Sequence, residues 1–554
     1  MVGISKSDRQ IKVAIIGSGL AGLTASHLLS QSAELRKRYD VHIFEKNESL
    51  GLDASSITIP HPTQQEKSLR VDVPMRSINA GYYPNLTRLY KSLGVKLKKT
   101  NFTFSFSSIH APRSPFMLYN GQSGIRGFSV RAGDSSSHPS SSIQQRISTN
   151  FSQSLTLLIF AFSYIVLLFF ALYHHARGHL LDPMHPINRE PFLHWSNRHK
   201  RYIDPTFIRS VTLTLFSAVT TSSIASVEQI PAAEILLYIS STFLRDHHKV
   251  QGGVQIVQDA LARNIPLDNV HTSYTVERIQ SDQQGYTISV ADKAPISGFQ
   301  HVILATPATF SNSLIESYCN SIAEKVSAAD QIENIRILQD NLAQIRYEES
   351  MVINHSDRSL LPKNKKDWQD LNLVSANTVE NDERYRLLAG SKHGGRSAMA
   401  THLIRSTATD GELILQTTNP TIWPKKDSIL SSSNFVRALT PISKQAIDGL
   451  FEWTPVHLTF SQRVTQFFRL FNFEQSTPTT IHSDWITACF SILRGKKHSL
   501  RLGKLQSSRS LQPVDSEKPG NIWVCGSYAQ GIPLLEGCVT SSMLVVNEIL
   551  QNDI

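Results

Sequence analysis

A chain of 554 residues with 40% hydrophobic and 18% charged side chains can bury a large core and build more than one domain, which excludes a disordered or fibrous polypeptide. Its net charge of +10 and pI near 9.3 raise the question of nucleic acid. Yet Lys and Arg are scattered, clusters are as short as "KNKK" (Lys363 to Lys366), and no basic–aromatic repeat accompanies them, so the basic balance points to anionic lipid or to no specific partner and not to nucleic acid.

Cysteine usage is equally plain. Cys319, Cys489, Cys525 and Cys538 have neither metal-ligand spacing nor the density of a disulfide framework, so reduced thiols and no metal are expected. The opening "MVGISKSDRQIK" is polar and runs straight into a strand, which reads as no cleavable signal peptide, and Gly3 is not placed for myristoylation.

The first element is decisive. Val13 to Ile16 is an apolar run of the kind found in central parallel strands, followed by Gly17, Gly19 and Gly22 in G-x-G-x-x-G spacing and then by helix formers. The first glycine permits a tight turn, the second lets backbone approach a pyrophosphate, and the third brings helix and strand together. A second strand, "VHIFE", ends in Glu45, 23 residues beyond Gly22, where a carboxylate can accept from an adenosine ribose. Gly17, Ser18, Gly19, Leu20, Ala21 and Gly22, with Glu45 and its neighbour Lys46, are therefore the expected contacts of a dinucleotide.

"RVDVPMRSINAGYYPNLTRLYKSLGV" (Arg70 to Val95) reads as strand, turn and a helix from about Tyr83. A serine-rich stretch then precedes "LTLLIFAFSYIVLLFFALY" (Leu155 to Tyr173), nineteen residues without a charge and without a polar stripe of helical period. That length just crosses a hydrocarbon core. Three readings stand side by side: a helix buried in a cap domain, a helix dipping into one leaflet, and a full span. Further on, "QGGVQIVQDAL" is a turn and helix, "VHTSYTVERIQSDQQGYTISVAD" is a pair of strands, and "HVILATPA" (His301 to Ala308) is a buried strand. "GNIWVCGSYAQGIPLLEGCVTSSMLVVNEIL" (Gly520 to Leu550) closes with a strand, a loop and a last helix. If that helix starts at Gly537 to Thr540, its N–H groups and positive dipole end can face a cofactor.

Rossmann-like pieces thus recur at the start, middle and end. The expected fold is α/β: a doubly wound, discontinuous Rossmann-like dinucleotide-binding domain with an inserted α+β substrate domain and one strongly apolar helix; the resemblance below implies that the dinucleotide is FAD. Residues 1–120, 251–310 and 511–554 are assigned to the cofactor domain, 121–154 to a serine-rich linker, 155–250 to a helical, membrane-facing region, and 311–510 to a substrate domain with antiparallel strands.

"EKNESLGLDASS" resembles the segment after the ribose-binding acid in flavoproteins of the amine oxidase and phytoene desaturase class, with Leu52 where a second glycine would stand after Gly51. "YPNLTRLYKSLGV", "INHSDRSLLPKNKKDWQDLNL" and "NIWVCGSYAQGIPLLEG" together resemble the FAD-dependent amine oxidase-like superfamily, and within it the branch related to the oxidase-like N-terminal region of plant cyclopropane fatty acid synthases. The resemblance implies FAD as cofactor, held by the loop and acid above, by backbone around Val276, by Arg76 near the flavin edge, and by Gly526, Ser527, Gly537 and Val539 in the last segment. Ser527 stands where many flavoproteins carry an acid, and Glu536 is no automatic substitute.

What the resemblance implies is an FAD-dependent oxidoreductase taking hydride from a C–H bond of an apolar, lipid or isoprenoid-like, or amine substrate. The alternatives are a membrane-associated flavoprotein whose FAD is structural and, more weakly, an NAD-binding reductase. No Ser-His-Asp set, zinc spacing or P-loop is present. His355, His402 and His482 are candidate bases, Cys538 a candidate flavin link, and Tyr528 and Trp523 candidate pocket walls, each with a structural reading beside it.

Overall fold

The computed structural model describes residues 10–59, 68–100, 102–119, 128–129, 143–323, 329–375, 398–404, 413–457, 496–507 and 521–553. Its centre is a five-stranded parallel sheet in the order Val270–His271, Tyr39–Phe44, Ile11–Ile16, His301–Leu304, Asn521–Val524. Pieces from three distant parts of the sequence lie side by side, as the discontinuous doubly wound fold requires. Helices cover this sheet, so its strands read as unbroken apolar runs, and Val13, Ala14, Ile15, Val302 and Ile303 are fully buried. The first helix (Leu20–Ser30) and the final helix (Leu535–Asn552) pack on one another, and the Ser542 hydroxyl donates to the Ala21 carbonyl at 2.8 Å. A three-stranded antiparallel meander (Val276–Asp282, Gly285–Val290, Ile296–Phe299) lies between the strands at 270 and 301 in sequence.

A second sheet of eight strands forms the inserted domain, in the order Ile429–Ala438, Tyr347–His355, Ile414–Thr418, Met399–Ile404, Leu371–Ser375, Phe104–Ser108, Met117–Tyr119, Phe128–Ser129. Here the structure redraws a border. Residues 104–119, placed by the sequence with the first cofactor segment, belong to this sheet, and Phe104–Ser108 runs parallel to Leu371–Ser375. "FSFSS" alternates aromatic and serine with period two, so its apolar face has to meet another sheet's core, while Ser105 donates to the Asn372 side chain at 2.8 Å.

The long apolar helix spans Ile143–Ala176 and begins inside the segment expected as linker, twelve residues before Leu155. No glycine or proline occurs between Pro139 and Gly178, so nothing interrupts a helix that the apolar run propagates back through the serines. Most of the remaining linker lies outside the described residues. The helix packs on Ala232–Thr242, and with Phe192–Arg198 these elements enclose a second core containing Phe160, Leu167, Phe192 and Trp195.

Candidate functional site

The glycine loop is built by its neighbours. Gly17 has φ of +98°, and a Cβ there would fall 2.7 Å from the Ala305 carbonyl oxygen. A Cβ on Gly22 would lie 1.9 Å from the Gly17 carbonyl oxygen, so this glycine sets how closely helix and turn approach. Gly19 differs from both: nothing lies within 4 Å of its ideal Cβ, and the residue lines a cavity.

Glu45 stands where the sequence put it, at the end of the second strand and buried. Its Oε2 accepts from the Ser18 hydroxyl (2.6 Å) and amide (3.1 Å), and its Oε1 from the Asn47 amide (3.0 Å) and side chain (2.8 Å). The carboxylate thereby ties the glycine loop to the second strand, and its acceptor capacity is filled by the chain's own donors. Gly51 N–H donates to Ser18 Oγ at 2.7 Å, so the segment after the acid folds over the loop.

Arg76 is held by a bond from Nη2 to the Leu52 carbonyl (2.9 Å), while its Nη1 is buried without a hydrogen-bond partner. Burial pulls its pKa down. Arg437, on the first strand of the second sheet's order, lines the same cavity. Its Nε is likewise buried without a partner, and burial together with the Arg76 charge brings its pKa down to about 10.

From the end of the chain, the final helix starts at Leu535, two residues earlier than Gly537, and Leu535 and Cys538 of its first turn face the cavity beside Ser527. A Cβ on Gly537 would sit 2.1 Å from the Ser527 carbonyl oxygen, which locks loop and helix together. Glu536 does something else: its carboxylate accepts from the Asn85 (2.9 Å) and Leu86 (3.1 Å) amides and so caps the helix Pro84–Ser92.

These pieces border one cavity of about 590 Å³. It runs from Gly19, Leu20, Gly51 and Leu52, past the two arginines, across the face of the second sheet carrying Phe104, Phe106, Leu373 and His402, to Tyr164 and Leu167 of the long apolar helix. Among the described residues, no Asp or Glu lines it. Buried guanidinium nitrogens without partners, beside open space over Gly19 and the first turn of a helix, suit an anionic group. The pyrophosphate of a dinucleotide fits that description.

Of the expected contacts, Gly19, Leu20, Arg76 and Ser527 line the cavity. Gly17, Ser18, Ala21, Gly22, Glu45, Gly526, Gly537 and Val539 form the scaffold behind it. Lys46 is exposed and Val276 is buried in the main core; neither reaches the cavity. Among the candidate bases, His402 faces the cavity, whereas His355 is fixed inside the second sheet by Thr417 Oγ1 (2.8 Å) and the Asp357 amide (3.1 Å). His482 lies outside the described residues. The Cys538 thiol is pushed up to about 12 by burial, a neutral thiol and not a nucleophile. Trp523 is core, with Nε1 donating to His301 at 3.1 Å, and Tyr528 is buried away from the cavity.

Sequence reasoning missed Arg437 and Lys249. Lys249 Nζ lies 3.2 Å from His402 Nε2 and 5.1 Å from the Phe102 ring centroid, and burial pulls it down to about 8. Both stand in unremarkable strand sequences, "NFVRAL" and "HHKV", so only the long-range fold could reveal them.

The fold and site define a protein with a Rossmann-like dinucleotide fold and an inserted second domain. A family profile for an NAD(P)-binding Rossmann-like domain matches residues 15–93. No curated protein matches the chain. Among solved structures it is similar to a CLA-producing fatty acid isomerase from P. acnes, at 13% identity, covering 98% of this chain and 99% of that one with a TM-score of 0.50. It is also similar to cyclohexylamine oxidase from Brevibacterium oxydans IH-35A, at 12% identity, 99% and 100% coverage and a TM-score of 0.46. Putrescine oxidase bound to putrescine gives 13%, 98%, 99% and 0.47 for the same quantities. Such similarity concerns the fold.

Proposed function

We propose that this chain is an FAD-dependent oxidoreductase acting on an apolar, lipid-like substrate. The observation that carries the proposal is the cavity that begins at a dinucleotide-binding loop and continues between aromatic and aliphatic walls with no described carboxylate in them. A protonated amine would enter past two buried arginines without a counter-charge, so a neutral or anionic apolar molecule is the better fit. The sequence resemblance to the branch near plant cyclopropane fatty acid synthases leans the same way.

Gly19, Leu20, Arg76 and Arg437 would hold the cofactor's anionic portion, and the first turn of the final helix, with its free N–H groups, would face its flavin end. Bound FAD supplies two-electron chemistry, accepting a hydride from a C–H bond. The protein's own share is positioning and exclusion of water. Phe104, Phe106 and Leu373 present an apolar wall that aligns a hydrocarbon chain. His402 is held neutral by burial, and with Lys249 donating to Nε2 its proton resides on Nδ1.

The test is the visible spectrum of the full chain purified in mild detergent, followed by heat release of the chromophore and anaerobic bleaching with long-chain lipids and with alkylamines. Released FAD and bleaching by lipids are expected. A folded, colourless protein that added FAD does not convert would overturn the proposal. Bound FAD that no substrate bleaches would favour the structural-flavin reading.

A further inference from the structure

The long helix has two unlike apolar faces. Phe160, Ser163, Leu167 and Ala171 are buried, at most 4% exposed, and recur at helical spacing on the side that packs on the second core. Leu158, Phe162, Ile165, Phe169 and Tyr173 form a stripe on the opposite side and are 46–68% exposed. Within Ser154–Ala176, an 18-residue stretch has a mean hydropathy of 2.7 and is only 22% buried, which a core helix would not be.

Nor is its flank suited to a span. The chain from Trp195 to Asp204 runs beside the middle of the helix: Trp195 and His199 contact the Phe170 ring at 5.5 and 4.6 Å, and the Asp204 amide donates to Ser163 Oγ at 3.0 Å. Lys200, Arg201 and Tyr202, exposed in that stretch, would stand at mid-membrane if the helix crossed it upright, where charge is costly. The same residues are well placed if the helix lies flat, with its stripe among acyl chains and cations at the phosphate level. Charge complementarity names the surface: residues 143–227 contain seven Lys or Arg against three Asp or Glu, and Arg177 extends the exposed cations past the end of the helix.

We infer that Ser154–Ala176 is an in-plane anchor that docks the protein on an anionic bilayer leaflet through the Leu158–Tyr173 stripe, flanked by Arg177, Lys200 and Arg201. The buried side of the same helix carries Leu167, which with Tyr164 lines the cavity. One helix therefore separates the leaflet from the substrate chamber, and the apolar substrate comes from that leaflet. The delivery route rests on the proposed redox function; the docking does not.

The test uses the full chain, freed of detergent, with vesicles of phosphatidylcholine alone or with about one third phosphatidylserine. Co-sedimentation with the anionic vesicles is expected, with weaker binding to neutral ones and a decline with salt. Phe162→Glu with Ile165→Glu should lower vesicle affinity at least tenfold while circular dichroism stays unchanged. Lys200→Ala with Arg201→Ala should remove the preference for the anionic vesicles and spare binding to neutral ones. Three outcomes overturn the inference: no vesicle binding, binding that the double Glu variant leaves intact, or protease protection showing chain on both sides of the bilayer. A stripe that instead seals a dimer, with the Glu variant monomeric and neither form binding vesicles, overturns it as well. Flavin content read from the same samples separates this result from that of the redox proposal: colourless protein that docks leaves the anchor standing.

Discussion

Two alanine substitutions three residues apart, Gly19→Ala and Gly22→Ala, should fail in opposite ways. Gly22→Ala puts a Cβ 1.9 Å from the Gly17 carbonyl oxygen, over an ångström inside ordinary contact, and the clash is with backbone that no rotamer can move. A clash this short with fixed backbone lies at the upper end of overpacking costs, about 2–3 kcal/mol, and Ala regains about 1 kcal/mol of helix propensity, so we expect a net loss of about 1–2 kcal/mol. For a cofactor domain of roughly 200 residues unfolding as a unit, that is a Tm lower by about 2–8 °C. Gly19→Ala meets nothing within 4 Å and keeps a φ of −67° that any residue adopts, so its cost is a helix cap changed from Gly to Ala, about 0.5 kcal/mol. Its methyl group, however, stands in the space that the pyrophosphate would use, and FAD affinity should fall at least tenfold, about 1.4 kcal/mol. Thermal unfolding of cofactor-free protein gives the first quantity and quenching of flavin fluorescence the second. A Gly19→Ala variant that binds FAD like the parent, or a Gly22→Ala variant with unchanged Tm, would refute the assignment of the two glycines.

Further expectations follow from the surrounding contacts. Glu45→Gln should destabilise the cofactor domain by about 2 kcal/mol, because the new amide must face donors from Ser18 or Asn47; urea unfolding measures it. Glu536→Gln removes one of two acceptors from the cap on Pro84–Ser92 and should cost about 1–2 kcal/mol in the same assay, without abolishing flavin binding. His247 and His355 are both pushed down to about 4 by burial, so the folded chain stays neutral where the unfolded chain takes up protons. Stability should therefore be full above pH ~6.5 and decline as the pH falls toward ~4, and His355→Gln should flatten that slope in urea titrations.

The cofactor loop was legible because its physics is local: three glycines, a strand before, a helix after and an acid at the next strand's end lie within some thirty residues. Local patterning also revealed the strands near 301 and 521, whose return to one sheet followed from their apolar runs, and the strand near 276, which joins a separate meander. The border near residue 104 was not legible, since "FSFSS" says that a face is buried but not against which sheet. Arg437 was hidden for a related reason. An arginine in a strand reads as solvated until the fold brings it, across 360 intervening residues, to the same cavity as Arg76. The apolar helix was visible as a composition, but its two faces were not, because Leu and Phe occupy both and only packing distinguishes them.

The last strand and helix have a consequence for how the protein comes into being. The Ile11–Ile16 strand needs His301–Leu304 at its side, and the turn after it is braced from behind by Ser542, through the Ala21 carbonyl. Asp553 then joins His301 (3.3 Å) and Tyr39 (3.0 Å), closing contacts that span some five hundred residues. A nascent chain therefore makes its glycine-rich loop well before the segments that hold that loop in place. Domains otherwise tend to fold in order of emergence, but this one waits for the strand Asn521–Val524 and the helix Leu535–Asn552, and contacts so distant in sequence form slowly. Ribosome-bound chains arrested before residue 521 should leave the motif exposed to protease, and chains carrying the segment through Asp553 should protect it.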